Sequence, residues 1–380
     1  MLTAILLLVS LAAAFPWAAC SGCNAPLKPE ITVFSGVIPL IFLVEGLVLP
    51  TRAMAVSAAR VHIHAAILAF NFLLIPAIAY AVSYLLVDWG IDWSGQLAEG
   101  LIALSAVPTT TSMSVMHSTL AGANAPLAAF AAVLCNLIAL YATPALLTRL
   151  ASIGDVDRAA LALGVGYKMV LPLAIGQLVR GLFGSERLSA VQPRLNTFNR
   201  LLVMALLFQL FSDALYWAGA FPSGIALVLV LTVVGLHSLF LLLAWGLGTA
   251  LGLSVTDRVP FMFCAAQKTV VLGLPLLREC FADRSASKRA VLLNPLIVYH
   301  LFSLGAGMKL AERLKPLVDE EARILPGSLP PDGTHSVGSQ GKGRVWAAPE
   351  EGARSGLSSL LSSLTSLLAC GGADRRSALT

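Results

Sequence analysis

Two similar stretches of this sequence, AVPTTTSMSVMHSTLAGANAP (Ala106–Pro126) and FMFCAAQKTVVLGLPLLRECF (Phe261–Phe281), say more about its fold than any other part. Each places a polar run of Ser, Thr or Gln and a proline in otherwise apolar surroundings. Each leads through a short hairpin into an apolar stretch, Ala128–Leu147 or Ala290–Leu310, that carries an Asn or a His. The pattern therefore occurs twice, and it indicates an internal repeat built around interrupted helices.

The composition around these stretches is that of an integral membrane protein, with 57% hydrophobic and only 12% charged residues. A spanning helix needs roughly 20 mainly apolar residues, and stretches of that order recur along the chain with short polar breaks between them. We predict ten transmembrane helices, at residues 2–19, 31–49, 61–87, 98–120, 126–149, 160–181, 199–219, 223–251, 259–279 and 289–311.

Five helices per half is an odd number, so the second copy of the repeat must enter the membrane upside down relative to the first. We predict an all-α membrane domain over residues 1–315, made of two inverted five-helix repeats at about 1–150 and 158–312. Helices four and nine would be broken and would cross near the midplane. The first apolar run also resembles a signal peptide, but it lacks a positive start, and the repeat favours its retention as a span.

The two ends of the chain are predicted to lie on the cytoplasmic side, because arginine is more frequent in the loops that follow even-numbered helices. Residues 316–380 are rich in Gly, Ser, Pro and charge, so we predict a disordered cytoplasmic tail. Leucines at helical spacing within residues 356–369 indicate either an amphipathic surface helix or a disordered Ser/Leu tract.

The sequence shows no pattern typical of an enzyme: it has no P-loop, no GxSxG, no HExxH and no Cys/His ligand spacing. Cys20 and Cys23 form a lone CxxC, which is read as a local disulfide or two free thiols rather than a zinc site. The net charge of +5 is spread over short loops and the tail, which excludes a nucleic-acid partner. We predict no catalytic group, no metal site and no cofactor.

Lys268 is the clearest clue to function, because an ammonium at mid-membrane costs at least ~2.5 kcal/mol. It lies about ten residues from each end of its apolar run, which is too deep for the side chain to reach the interface easily. Glu45 and Asp213 are the candidate charge partners, and a purely structural ion pair is the main alternative. Polar neighbours of Lys268 complete a candidate site for an ion or polar solute: Thr109–Thr111, Ser112, Ser114, Gln267 and Thr269. Two histidines, His237 and His300, would line the pathway. Hydroxyls that bond back to their own helix are the alternative for the first half.

Five short motifs together resemble the bile acid:sodium symporter superfamily, and within it the branch typified by sodium/bile acid cotransporter member seven. They are PLKPEITV (Pro26–Val33), PLAIGQLVR (Pro172–Arg180), FSD (Phe211–Asp213), FCAAQKTVVLGLPLL (Phe263–Leu277) and PLIVYH (Pro295–His300). The resemblance covers roughly residues 1–312 and implies the same ten-helix inverted-repeat fold with helices four and nine crossed.

The resemblance also implies roles for particular residues. Ser112, Ser114 and Asn136 match the first-half sodium-site region, and Gln267 matches the glutamine of helix nine. Asn124 matches the hairpin asparagine of the branch and is a third candidate for the pathway. Phe263 stands where the classical carriers have a glutamate, and Lys268 adds an ammonium, so Na⁺ binding at the second sodium site is not expected.

The resulting functional hypothesis is a solute carrier that works by alternating access on a small organic anion or ion, with Na⁺ or H⁺ as candidate coupling ion. The resemblance further implies a link to calcium homeostasis and the secretory pathway, in the plasma membrane or a Golgi/ER membrane. The alternative is a membrane regulator that keeps the fold without transport and restrains calcium-entry machinery.

Overall fold

The computed structural model describes residues 2–20, 23–92, 95–151, 157–217 and 223–324, and within these ranges the chain is helical with no strand. The helices are α1 (Leu2–Ala14), α2 (Pro29–Thr32), α3 (Ile38–Val48), α4 (Thr51–Ala58), α5 (Val61–Ala69), α6 (Ile75–Asp88), α7 (Gln96–Ala106), α8 (Thr111–Leu120), α9 (Ala125–Leu150), α10 (Arg158–Phe183), α11 (Ser185–Tyr216), α12 (Ser223–Ala250), α13 (Val255–Ala266), α14 (Gly273–Cys280) and α15 (Ala286–Ile324).

Two wide π-helical turns join short helices into longer rods. Val33–Val37 connects α2 to α3, and Phe70–Leu74 connects α5 to α6. Each turn ends just before a proline, Pro39 or Pro76, which has no backbone N–H to donate to the preceding turn. A wider turn accommodates this missing bond and keeps the rod continuous.

Seven helical rods of the described residues are long and apolar enough to cross a membrane: Pro29–Val48, Val61–Asp88, Ala125–Leu150, Ala159–Phe183, Ala190–Tyr216, Ala226–Ala250 and Ala286–Ile324. The chain is therefore an all-α, multi-pass membrane protein. Helix α1 has 13 residues, and the pairs α7/α8 and α13/α14 are interrupted, so none of these is a single rod of spanning length. The count of ten crossings and the inverted repeat remain predictions.

Helices α1, α3, α10 and α11 pack on one another as one group. Helix α3 lies so close to α10 that a Cβ atom on Gly46 would stand 3.0 Å from the Cα of Gly176. At the end of this contact, Gln177 of α10 donates to the carbonyl oxygens of Gly46 and Leu49 at 2.7 and 3.1 Å. Since those carbonyls lie in the last turn of α3, the side chain satisfies acceptors that the helix itself leaves open.

A second group of helices surrounds the two interrupted pairs. Helix α7 packs between α6 and α15, α8 packs on α9, and α13 contacts α12, α9, α8 and α15. Buried side chains such as Phe263, Cys264 and Tyr299 fill the space between these helices. The breaks in α7/α8 and α13/α14 therefore lie inside a packed core.

Helix α15 continues without interruption past the predicted domain end at residue 315, as far as Ile324. Val318 is buried beyond that boundary, and Glu321 accepts hydrogen bonds from the backbone of Val255 and Thr256, both at 2.7 Å. The rest of the predicted tail, including residues 356–369, lies outside the described residues. At the other end, Cys20 and Cys23 form a disulfide, the first of the two alternatives for this pair.

Candidate functional site at the meeting of two broken helices

The two interrupted helices touch where each is broken. Pro108 follows the end of α7 and forces Val107 into an extended conformation, with φ −74° and ψ 141°. Gln267, at the end of α13, is also extended, with φ −80° and ψ 153°. The backbone N–H of Thr269 then donates to the carbonyl oxygen of Pro108 at 2.9 Å. This bond joins the two breaks directly, as the prediction of two broken helices meeting in the core requires.

Lys268 lies at this junction and is fully buried, with 0% of its surface exposed. Its ammonium nitrogen Nζ donates to the carbonyl oxygens of Val107 and Ser105 at 2.7 and 2.9 Å. Both carbonyls belong to the end of α7, where no further helical turn supplies N–H donors. The end of a helix also carries partial negative charge, so the ammonium caps α7 both by hydrogen bonds and by charge.

Asn71, in the π-helical turn between α5 and α6, supplies the third acceptor of Lys268 through its Oδ1 atom at 3.4 Å. Its amide nitrogen donates to the carbonyl oxygens of Ile67 and Cys264 at 3.1 and 3.0 Å. These two bonds fix the orientation of the amide, because only its oxygen is left to face the ammonium.

The predicted charge partners of Lys268 do not pair with it. Glu45 of α3 accepts a hydrogen bond of 2.5 Å from the hydroxyl of Ser112, and Asp213 of α11 accepts one from Gln209. In the described part of the chain the acceptors of Lys268 are neutral oxygens only. Backbone carbonyls at the helix break thus take the place that a carboxylate was expected to fill.

Gln267 connects the two halves of the predicted site. Its Oε1 atom accepts from the hydroxyl of Ser114 at 2.9 Å, and its Nε2 atom lies 2.5 Å from Nδ1 of His117. The Ser114 hydroxyl also lies 3.4 Å from that of Thr109. The structure thus brings together Ser114 of the first half and Gln267 of the second.

The remaining first-half residues make contacts of their own. Asn136 of α9 donates to the Thr111 hydroxyl at 3.1 Å, next to the start of α8. Ser112 faces Glu45 and so links α8 to α3 of the other helix group. The Thr269 hydroxyl accepts from the N–H of Val271 at 3.2 Å and so supports the second break.

The two histidines predicted for the pathway lie on the α15 side of the junction. Nδ1 of His300 is 3.4 Å from the carbonyl oxygen of Lys268. His237 of α12 packs edge-on against Tyr299, with 4.9 Å between ring centres, and Tyr299 donates its hydroxyl to the carbonyl oxygen of Ala266. Tyr299 thereby caps the end of α13, as Lys268 caps α7.

Asn124 is not brought to this junction. It caps α9 by accepting from the N–H of Leu127 at 3.1 Å, and it donates to Asp257 at 2.8 Å. Asp257 also pairs with Arg60 and lies in the first turn of α13. Since Gln267 follows it by ten residues, helix geometry separates the two by about 15 Å.

Sequence reasoning missed Asn71, although a single amide in the apolar run Phe70–Leu74 was a signal that could have found it. It also missed the carbonyls of Ser105 and Val107. No side-chain pattern reports which carbonyls a break leaves open, so only the position of the break could have indicated them.

A buried ammonium, an amide and hydroxyls gathered where two interrupted helices meet are an arrangement typical of membrane transporters. The chain belongs to the SBF-like CPA transporter family, whose sequence profile matches residues 1–316. This confirms the resemblance to the bile acid symporter superfamily noted in the sequence.

Individual relatives match most of the chain. Sodium/bile acid cotransporter 7 of mouse is 27% identical over 297 residues, covering 77% of this chain and 86% of the relative. The zebrafish protein of the same name is 25% identical over 307 residues, covering 80% and 90%. An uncharacterised protein of Pseudomonas aeruginosa is 25% identical over 316 residues, with the same coverage of 80% and 90%.

Proposed function

We propose that this protein is a secondary carrier that moves a small organic anion by alternating access, with its binding site where α7/α8 and α13/α14 meet. Ten helices in two inverted repeats would form the carrier, and the broken helices of the two repeats would meet at the site. The observation that carries the proposal is the burial of Lys268 at this junction with neutral oxygens as its acceptors.

The helix ends at the junction support an anionic substrate. The carbonyl ends are occupied: Lys268 caps α7, while Asn71 and Tyr299 cap α13. By contrast, the amino end of α8 receives no side-chain cap from its N-cap residue, Thr110. Backbone N–H groups and the positive end of the α8 dipole are thus left at the site. Together with the ammonium they favour a negatively charged group.

The packing supports a carrier made of two bodies. Helices α1, α3, α10 and α11 would form one body, and the helices around the broken pairs would form the other. The hydrogen bond between Glu45 and Ser112 connects the bodies beside the site. In the proposed cycle the second body rocks against the first, which would expose the junction to each side of the membrane in turn.

The orientation and the cellular role complete the proposal, with Na⁺ or H⁺ as the candidate coupling ion. The distribution of arginine in the loops supports cytoplasmic termini. A location in the plasma membrane or a Golgi/ER membrane, and a link to calcium homeostasis and the secretory pathway, rest on the resemblance to the cotransporter branch alone.

The test is uptake by proteoliposomes of the purified protein, with a set of small organic anions offered under imposed Na⁺, H⁺ and Ca²⁺ gradients. We expect uptake of at least one anion by the wild type and its loss in Lys268→Ala. Lys315→Ala is the matched control, because Lys315 is exposed on α15 and follows His300 by fifteen residues, about 22 Å along the helix. Equal uptake by wild type and Lys268→Ala would overturn the assigned site. Absence of uptake under every gradient would overturn the carrier and favour the regulatory alternative.

A further inference from the structure

We propose that the ammonium of Lys268 occupies an alkali-cation site and takes the place of a coupling ion there. The wild-type protein then neither needs nor binds Na⁺ or K⁺ at this position, and removal of the ammonium opens the site to one of these ions. The inference deepens the proposed function and rests on its assignment of the junction as the binding site.

The atoms around Nζ are those that bind an alkali cation in proteins. Two are backbone carbonyl oxygens, of Ser105 and Val107, and the third is the amide oxygen of Asn71. Carbonyl oxygens at unwound helix ends coordinate alkali ions in transporters, and rings of them replace the hydration shell in channels. An ammonium is close in size to a potassium ion, so one shell of oxygens suits both.

The shell does not depend on the ammonium for its shape. Pro108 fixes the end of α7, and the bond from Thr269 to Pro108 holds the two breaks together through backbone atoms. Asn71 is oriented by its own two hydrogen bonds to the carbonyls of Ile67 and Cys264. The oxygens are therefore expected to stay in place when the lysine side chain is shortened.

An empty shell would be unfavourable, which drives an ion into it. Ser105 is 1% exposed and Val107 is 0% exposed, so water reaches their carbonyls poorly. Buried carbonyls without a hydrogen-bond partner or an ion destabilise the folded state. The partial negative charge at the end of α7 further favours a bound cation. In the wild type the tethered ammonium is that cation and repels any second one.

The experiment measures thermal unfolding of detergent-purified protein in NaCl, KCl and N-methyl-D-glucamine chloride at equal ionic strength. We expect Lys268→Ala to melt about 3 °C or more higher in NaCl or KCl than in the organic salt, because an ion that binds only the folded state stabilises it. The wild type and Lys315→Ala should melt at the same temperature in all three salts.

A second variant tests the shell itself. Adding Asn71→Leu to Lys268→Ala removes one oxygen and should reduce the cation-dependent shift. If Lys268→Ala is unfolded in the organic salt, the readout becomes recovery of a monodisperse protein in NaCl or KCl.

The melting measurements need no transported solute, so they test the cation site even if the transport assay shows no uptake. The proposal is overturned if Lys268→Ala responds to the three salts as the wild type does, if no alkali cation recovers an unfolded variant, or if the shift survives loss of Asn71 undiminished.

Discussion

The ammonium nitrogen of Lys268 lies 2.7 Å from the carbonyl oxygen of Val107, so a side chain from the second half of the protein caps a helix of the first half. The break of the first half is thus completed by the second half. The stability of α7 and the position of Lys268 are therefore coupled, and a change at one break should be felt at the other.

Gly273, at the start of α14, tests this coupling through packing. A Cβ atom there would stand 2.6 Å from Cγ1 of Val107, so Gly273→Ala should lower the free energy of unfolding by about 1–3 kcal/mol. Val107→Ala removes the clashing methyl groups and should restore part of the loss in the double variant, as measured by chemical unfolding in detergent. Gly235→Ala is the control, because no atom lies within 4 Å of its Cβ position. Additive losses in the double variant would contradict the prediction.

Gly176 tests the contact between α3 and α10. Its Cβ would collide with the backbone of Leu43 and Leu47, which cannot move aside as a side chain could. We expect Gly176→Ala to lower the melting temperature markedly, with a loss of at least about 2 kcal/mol. Gly181→Ala on the same helix meets no atom within 4 Å and should leave stability unchanged or slightly higher. Similar melting temperatures for the two variants would refute this close approach.

Gln267 tests the polar connection between the halves. Gln267→Leu leaves the Ser114 hydroxyl and the His117 ring without their amide partner in a buried place. A loss of about 1–3 kcal/mol is expected. Because Ser114→Ala removes one of the stranded groups, the double variant should lose less than the sum of the single losses in a thermodynamic cycle. Full additivity would show that the two side chains do not interact.

Glu321 tests the end of α15. Its carboxylate accepts from the N–H groups of Val255 and Thr256 and from the Thr256 hydroxyl at 2.8 Å, which caps the start of α13. We expect Glu321→Ala to cost about 1–2 kcal/mol of stability in thermal unfolding. Glu320→Ala should cost less than about 0.5 kcal/mol, because its contact is an exposed pair with Arg323.

Chain truncation provides a further check on the same contact. A chain that ends after Lys315 removes Val318 and Glu321, while one that ends after Ile324 keeps both. We expect the shorter chain to be less stable by at least the cost of Glu321→Ala. Equal stability of the two truncated chains would support the predicted domain boundary at residue 315.

The sequence predicted much of this architecture because the bilayer imposes strong rules. Apolar runs marked the helices, and prolines beside polar clusters marked the breaks at Pro108 and near Gln267. The depth of Lys268 in its run singled it out correctly as a buried residue.

The partners of Lys268 could not be predicted in the same way. A sequence displays carboxylates such as Glu45 and Asp213 openly, whereas the carbonyls of Ser105 and Val107 become acceptors only because α7 ends there. The continuation of α15 to Ile324 was not predicted, for a different reason. The composition after Pro316 is polar, and it hid the helical spacing that buries Leu314 and Val318 on one face.

The bond from Thr269 to Pro108 uses main-chain atoms alone. Side chains around it can therefore be exchanged without loss of this hydrogen bond. Any residue at position 108 retains the carbonyl, and any residue except proline at position 269 retains the N–H. The junction thus separates architecture from side-chain chemistry: the backbone holds the helices in register, and the surrounding side chains are left free to vary.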